Sequence, residues 1–200
     1  MRTLSFRRQT RHRNAGFSLI EVLVAIVVLS FGLLGMVGLQ AASLQANRDA
    51  RLQSTAILLA RDLAEAMRGN KAIAVGTVNP YIGSFQSVGA DPLVPTVASY
   101  CLTVGQNCAT PTAVANAQMT EWLSRVSTQL PGARVEICKD SAPYDGNGLP
   151  RWACSTAGTD IIVIKIGWTR ASFQRSSANA ALDRADKPSV MLPVTPGSTL

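Results

Sequence analysis

The chain has 200 residues, with 19 basic and 12 acidic side chains, four cysteines and one histidine. This length allows one domain with an appendage. Five arginines and no acid precede Gly16, so the remainder carries 14 basic against 12 acidic residues and is nearly neutral. Without a basic cluster in that remainder, we expect no nucleic-acid partner.

The first predicted element is a long apolar helix. Residues 22–39 form a run of 18 residues with one polar member, Ser30. Such a run can cross a hydrocarbon core of roughly 30 Å at about 1.5 Å per residue. The arginine-rich start predicts a cytoplasmic N-terminus, with the rest of the chain across the membrane. Glu21 lies at the start of the run, where a lone carboxylate costs roughly 2.5–3.5 kcal/mol to insert and indicates a function.

Three glycines, Gly32, Gly35 and Gly38, lie three residues apart near the far end of this run. Small residues at that spacing line one side of a membrane helix and let another helix approach closely. Each also weakens the helix by roughly 1 kcal/mol relative to alanine. Packing against like helices and a merely flexible segment are therefore both open interpretations.

After Gln40 the pattern becomes amphipathic, and the helix is predicted to reach Arg68 and to end at Gly69-Asn70. Arg61 and Glu65 have the spacing of an ion pair on its polar face. The apolar residues step by three or four positions along one face. They are Leu52, Ala56, Leu59, Leu63 and Met67.

The remaining chain predicts one more helix and several strands. Residues 70–100 read as a long connection, and residues 97–104 as a possible strand. A second helix is expected over residues 112–130, capped by Thr112 or Asn116. Residues 133–138 alternate as a half-buried strand, residues 160–168 read as a central strand, and residues 190–194 as an edge strand because of Pro193. Residues 141–152 read as a loop, and residues 172–187 stay unassigned.

The four cysteines lie on the predicted exported side, and their even number indicates two disulfides with three possible connectivities. We favour Cys101–Cys108 and Cys138–Cys154, because each pair closes a short loop rich in turn residues. A four-thiolate zinc site is disfavoured, since the intervals of seven and sixteen residues do not match Cys-x-x-Cys knuckles. We therefore expect no metal.

Signals of catalysis are missing from the sequence. The single histidine, His12, lies in the arginine-rich start, and there is no Gly-rich phosphate loop or Gly-x-Ser-x-Gly motif. Asp145-Gly146-Asn147-Gly148 lacks the spacing of a calcium loop and predicts a turn. We expect the protein not to be an enzyme and to need no cofactor.

Residues 16–21, which read Gly-Phe-Ser-Leu-Ile-Glu, resemble the class III signal of type IV prepilins and type II secretion pseudopilins. In that family a prepilin peptidase cuts after the glycine and N-methylates the new terminal phenylalanine. The resemblance implies cleavage after Gly16, methylation of Phe17, and a subunit-assembly role for Glu21. In assembled subunits, Glu21 would pair with the methylated amine of Phe17 in a neighbour.

The resemblance also implies a fold and a division of the chain into three segments. The expected fold is α+β and type IV pilin-like, with a long N-terminal helix packed on a small antiparallel sheet with a second helix. Residues 1–16 would be the cleaved leader, and residues 17–39 the transmembrane and assembly half of the helix. Residues 40–200 would be the periplasmic head, which includes the amphipathic helix half 40–68.

Two further stretches resemble the PilV family of minor pilins. They are residues 28–35, and the group Cys138-Lys139-Asp140, residues 143–146, Cys154 and residues 163–168. This resemblance implies an inner-membrane prepilin with a periplasmic head. After processing, it would join other minor pilins and the major pilin at the inner-membrane assembly platform, prime pilus assembly and sit at the tip. The alternatives are a minor pseudopilin of type II secretion and a signal-anchored periplasmic binding module.

Overall fold

The computed structural model describes Gly16 and residues 18–87, 92–155, 161–171, 182–183 and 186–197, except for the side chains of residues 171, 182 and 183. The chain divides into two compact units, and the boundary lies between Ala46 and Asn47. The elements in chain order are α1 (Leu19–Gly69), α2 (Lys71–Ala74), β1 (Gly83–Gln86), α3 (Pro111–Gln129), β2 (Arg134–Lys139), β3 (Ile162–Gly167), β4 (Arg170–Ala171), β5 (Leu182–Asp183) and β6 (Val190–Val194).

In the first unit, the structure describes mainly the beginning of α1, whose residues 22–39 are apolar on all sides. Its large apolar side chains from Leu19 to Leu39 are 44–84% exposed. The hydroxyl of Ser30 donates to the carbonyl of Ile26 at 2.7 Å, so the one polar side chain of the run is bonded within the helix. By length and composition, α1 is able to cross a membrane.

The second unit contains the rest of α1, and there the predicted apolar face is buried. Leu63 is 1% exposed and Met67 is fully buried, which agrees with the stepping of the apolar residues. The expected Arg61–Glu65 ion pair is wrong, since Glu65 pairs with Arg68 instead. Side chains three positions apart on a helix are neighbours, as are side chains four positions apart. The sequence spacing alone therefore does not choose between Arg61 and Arg68 as the partner of Glu65.

Helix α3 begins one residue earlier than predicted and has a different cap. Thr110 is the N-cap, and its hydroxyl accepts a hydrogen bond from the amide of Ala113 at 3.1 Å. Pro111 occupies the first helical position, where its missing N–H costs nothing. The indole of Trp122 donates to the carbonyl of Leu59 at 2.8 Å and so joins α3 to α1.

The main sheet has four antiparallel strands in the order β1-β2-β3-β6. β3 is central and buried along its whole length, as its apolar residues on both faces predicted. β6 forms one edge, and Pro193 lies opposite Val163 on the edge strand, where a missing donor is tolerated. This architecture, a long apolar helix with a small antiparallel sheet, confirms the expected α+β class.

One predicted strand was wrong, and one observed strand of the main sheet was missed. Residues 97–104 form no strand; they contain bends and turns, and Val104 is fully exposed. The second edge of the main sheet is formed by β1, a strand that the sequence analysis missed. Its only buried side chain is that of Phe85, and one apolar residue gives no alternating pattern to detect.

Candidate functional site

The start of α1 places a carboxylate in the first helical turn. Ser18 precedes the helix, and its carbonyl accepts hydrogen bonds from the amides of Glu21 at 3.0 Å and Val22 at 3.3 Å. Glu21 is exposed, and a negative charge is favourable at the positive end of the helix dipole. Phe17 and residues 1–15 lie outside the described part of the chain.

The three glycines of the apolar run are open to contact. A Cβ atom added at Gly32, Gly35 or Gly38 would meet nothing within 4 Å. None of the three has a positive φ, so neither backbone conformation nor packing within the described chain requires glycine there. Their role in helix packing stays a prediction.

Two disulfides close loops in the second unit. Cys101 is joined to Cys108 with a Cα–Cα distance of 5.0 Å, and Cys138 is joined to Cys154 with a distance of 6.3 Å. This is the pairing that the sequence analysis favoured. A carboxylate oxygen of Glu136 and the sulfur atoms of Cys138 and Cys154 lie within 4.8 Å of one another, and atoms of these types can bind a metal ion. Both sulfurs are oxidised, so this group lacks the thiolates that a zinc site uses.

Beside the second disulfide lies an ion pair that the sequence analysis missed. Lys165 and Asp140 have fully buried side chains, and Lys165 Nζ is 2.6 Å from Asp140 Oδ2. Lys165 also donates to the carbonyls of Ala153 at 2.9 Å and Trp152 at 3.2 Å. A lysine within an apolar strand was the available signal, because a buried charge needs partners.

The environment of Asp140 keeps it ionised. Burial raises the pKa of its carboxyl, but hydrogen bonds from Lys165 and from the amides of Ala142 and Ser155, with the charge of Lys165, outweigh burial and lower the pKa below its usual value. Both amides donate to Asp140 Oδ1 at 3.0 Å. Asp140 Oδ1 is therefore hydrogen-bonded to two amides, while Oδ2 faces the ammonium group of Lys165.

A groove of about 460 Å³ lies between α3 and the connection that precedes it. The groove is lined in part by Leu93, Val94, Tyr100 and Leu102, and on the side of α3 also by the charged residues Glu121 and Arg125. The connection is tied to α3 by the amide of Leu93, which donates to Ser127 Oγ at 2.7 Å. Exposed apolar surface bordered by charged residues is typical of protein interfaces.

Exposed apolar side chains also occur in the first disulfide loop and in the segment before it. Tyr100 is 69% exposed, and Val104 at the tip is fully exposed. The amide of Ser99 donates to Thr120 Oγ1 at 3.0 Å, which holds this segment to α3. We call this surface, formed by Val94, Tyr100, Leu102 and Val104, the apolar head face.

Comparisons with known proteins identify the start of the chain. Residues 11–37 match the prokaryotic N-terminal methylation motif. No curated protein matches the chain, and no solved structure matches it. The matched segment contains Gly16, Phe17 and Glu21 and extends into the exposed apolar part of α1. The chain therefore carries the N-terminal methylation motif of the type IV pilin family, while the individual roles of these three residues stay predictions.

Proposed function

We propose that the protein is a non-enzymatic structural subunit of the type IV pilin and pseudopilin kind. The observation that carries this proposal is the coincidence of the methylation motif at residues 11–37 with the exposed apolar start of α1. In this proposal, prepilin peptidase removes residues 1–16 and methylates the amine of Phe17. Residues 17–39 anchor the subunit in the inner membrane, and residues 40–200 form a periplasmic head.

Glu21 and Phe17 act together in the proposed assembly step. Cleavage would create an amine on Phe17, and Glu21, four residues later in the sequence, lies in the first turn of α1. When apolar helices pack side by side and exclude water, an ionised carboxylate needs a cation close to it. The amine of a neighbouring subunit supplies that cation, and each subunit offers both charges. The pair would fix the axial stagger between neighbouring helices.

The finer assignment is to a minor pilin of the PilV kind, which joins other minor pilins and the major pilin and primes assembly at the pilus tip. It is supported by the resemblance of residues 28–35 and of the segment around Cys138 and Cys154. The apolar head face supports contact with a second head, since its four side chains are apolar and exposed and its segment is held to α3. A minor pseudopilin of type II secretion carries the same motif and is the second candidate.

Mass spectrometry of the protein purified from membranes tests the proposal. We expect a chain that begins at N-methylated Phe17 in cells with prepilin peptidase, and the complete leader in cells without it. An intact leader in both strains would contradict the proposal and favour a signal-anchored module. Identification of the co-purifying subunits as pilus or secretion components then distinguishes the two candidates.

A further inference from the structure

The partners of the buried Lys165 lie beside both cysteines of the second disulfide. Asp140 follows Cys138 by two residues, while Trp152 and Ala153 immediately precede Cys154. Lys165 Nζ contacts all three of these residues, at 2.6 Å, 3.2 Å and 2.9 Å. It also lies 3.8 Å from Cys154 Sγ. The ammonium group of Lys165 thus links the chain segment that follows Cys138 to the segment that precedes Cys154.

The ends of this loop are also joined to each other without the sulfur bridge. Asp140 Oδ1 accepts from the amide of Ser155 at 3.0 Å, and the amide of Ser141 donates to the carbonyl of Ser155 at 2.8 Å. These contacts and those of Lys165 form a polar hub that closes the segment from Asp140 to Ser155. Apart from the contact of Lys165 with Cys154 Sγ, the contacts of the hub involve no sulfur atom, so we expect the hub to form in the reduced chain as well.

Burial of Lys165 requires that the loop be closed. Lys165 lies on the central strand β3 and is fully buried, and a buried ammonium is costly unless acceptors surround it. Two of its acceptors, the carbonyls of Trp152 and Ala153, come from the far end of the loop. Formation of the sheet around β3 therefore favours loop closure, which brings Cys154 to Cys138.

We propose that Lys165 is the positioning residue that sets the pairing of Cys138 with Cys154. The lysine closes the loop before oxidation, raises the effective concentration of each thiol at the other, and so selects one of the three connectivities. Apart from its 3.8 Å contact with Cys154 Sγ, it acts through the chain that carries the cysteines. This inference does not depend on the proposed assembly role.

The first disulfide provides a control within the same molecule. The loop from Cys101 to Cys108 contains no charged residue, and its sequence separation is seven residues, against sixteen for the second. A shorter loop closes at a lower entropic cost. Its formation should therefore be independent of Lys165.

The chemistry is ordinary thiol–disulfide exchange with glutathione disulfide as the oxidant. A cysteine thiolate attacks glutathione disulfide, forms a mixed disulfide and releases one glutathione thiolate. The second cysteine, as its thiolate, attacks the protein sulfur of the mixed disulfide and releases the other glutathione. Two protein thiols are oxidised and one glutathione disulfide is reduced; the two protons lost by the protein thiols end on the two released glutathione thiolates, so no net proton is released.

The test equilibrates the full chain, solubilised in detergent, in glutathione buffers of graded redox ratio. Free thiols are trapped by alkylation, and each disulfide is quantified by peptide mass spectrometry. In Lys165→Met we expect the effective concentration for Cys138–Cys154 to fall at least about tenfold, with that for Cys101–Cys108 unchanged. Lys187→Met is the matched control, because Lys187 lies 3.9 Å from Asp145 of the same loop but is 47% exposed.

A variant that removes both charges separates positioning from unfolding. Lys165→Met leaves Asp140 buried without its cation, which can unfold the head and lower both disulfides together. Lys165→Met/Asp140→Asn removes this penalty and keeps an oxygen at position 140 that can accept from the amide of Ser155, and circular dichroism checks that it is folded. A selective loss of Cys138–Cys154 in the folded double variant supports the proposal. An effective concentration within twofold of the wild-type value in either folded variant overturns it.

Discussion

Along α1, the residues before Asn47 and those after it carry similar apolar side chains but bury them differently. Leu33 is 56% exposed, whereas Leu63 is 1% exposed and packs in the core with α3 and the sheet. The later half is therefore a component of a folded domain. The earlier half presents apolar surface that the described chain does not cover, which suits a segment placed in lipid and then among other helices.

The charged groups of the two units differ in the same way. In the second unit, the carboxylate of Asp140 is met by Lys165 and two amides. In the first unit, Glu21 forms no ion pair with any residue that the structure describes. A domain satisfies its buried charge internally, whereas the proposed assembly segment reserves its charge for another subunit.

The largest expected effect is on assembly. Glu21→Gln removes the charge that would pair with the amine of Phe17, and we expect co-purification with partner subunits to be lost. Membrane insertion should be unchanged, because the apolar run is intact. Glu65→Gln is the control on the same helix, since Glu65 is an exposed acid paired with Arg68. Normal co-purification of Glu21→Gln would refute the pairing.

Equivalent truncations in the two halves of α1 should differ in stability. Leu63→Ala is expected to lower the free energy of unfolding of the head by about 2–5 kcal/mol, because it leaves a cavity in the core. Leu33→Ala should change it by less than about 0.5 kcal/mol. Urea unfolding in detergent, followed by tryptophan fluorescence, measures both. Equal effects of the two substitutions would contradict the division of the helix.

The apolar head face should contribute a smaller share of the assembly. Val104→Asp puts a charge at the exposed tip of the apolar head face, and we expect about a tenfold loss of partner recovery, because burying one charge costs on the order of 1 kcal/mol or more. Leu149→Asp is the matched control, since Leu149 is 44% exposed in a different loop. Equal recovery of both variants would show that this face makes no contact.

The smallest expected effect is the acid dependence of the head. The pKa of Asp140 is lower in the folded state than its ordinary value of 3.8, so its contribution to stability is present above pH 3.8. That contribution is lost as the pH falls through the lowered folded pKa. We expect the thermal midpoint of the wild type to fall in this range more steeply than that of Lys165→Met/Asp140→Asn. Parallel curves would contradict this assignment.

The elements that the sequence predicted are those with a long repeated pattern. α1 and β3 could be found because many apolar residues share one spacing, and Pro193 identified an edge strand. β1 was missed because it has four residues and buries one of them. The short α2 was missed for the same reason. Such elements are defined by contacts with distant residues and not by their own pattern.

The residues of the candidate site also differ in how far the sequence could predict them. The methylation motif is a local string, so Gly16, Phe17 and Glu21 could be identified from the sequence. The hub around Lys165 joins residues from three separate stretches, and its geometry depends on the loop that covers β3. The sequence offered one signal, a lysine in an apolar strand, but it did not identify the partner.

Photo-crosslinking from the exposed half of α1 tests the central claim most directly. A benzophenone amino acid at position 33, in cells with the complete assembly machinery, should give an adduct with another processed pilin-like subunit. The same probe at position 63 should crosslink only within its own chain. If position 33 yields no subunit adduct in assembled fibres, the first half of α1 is only a membrane anchor and the account is contradicted.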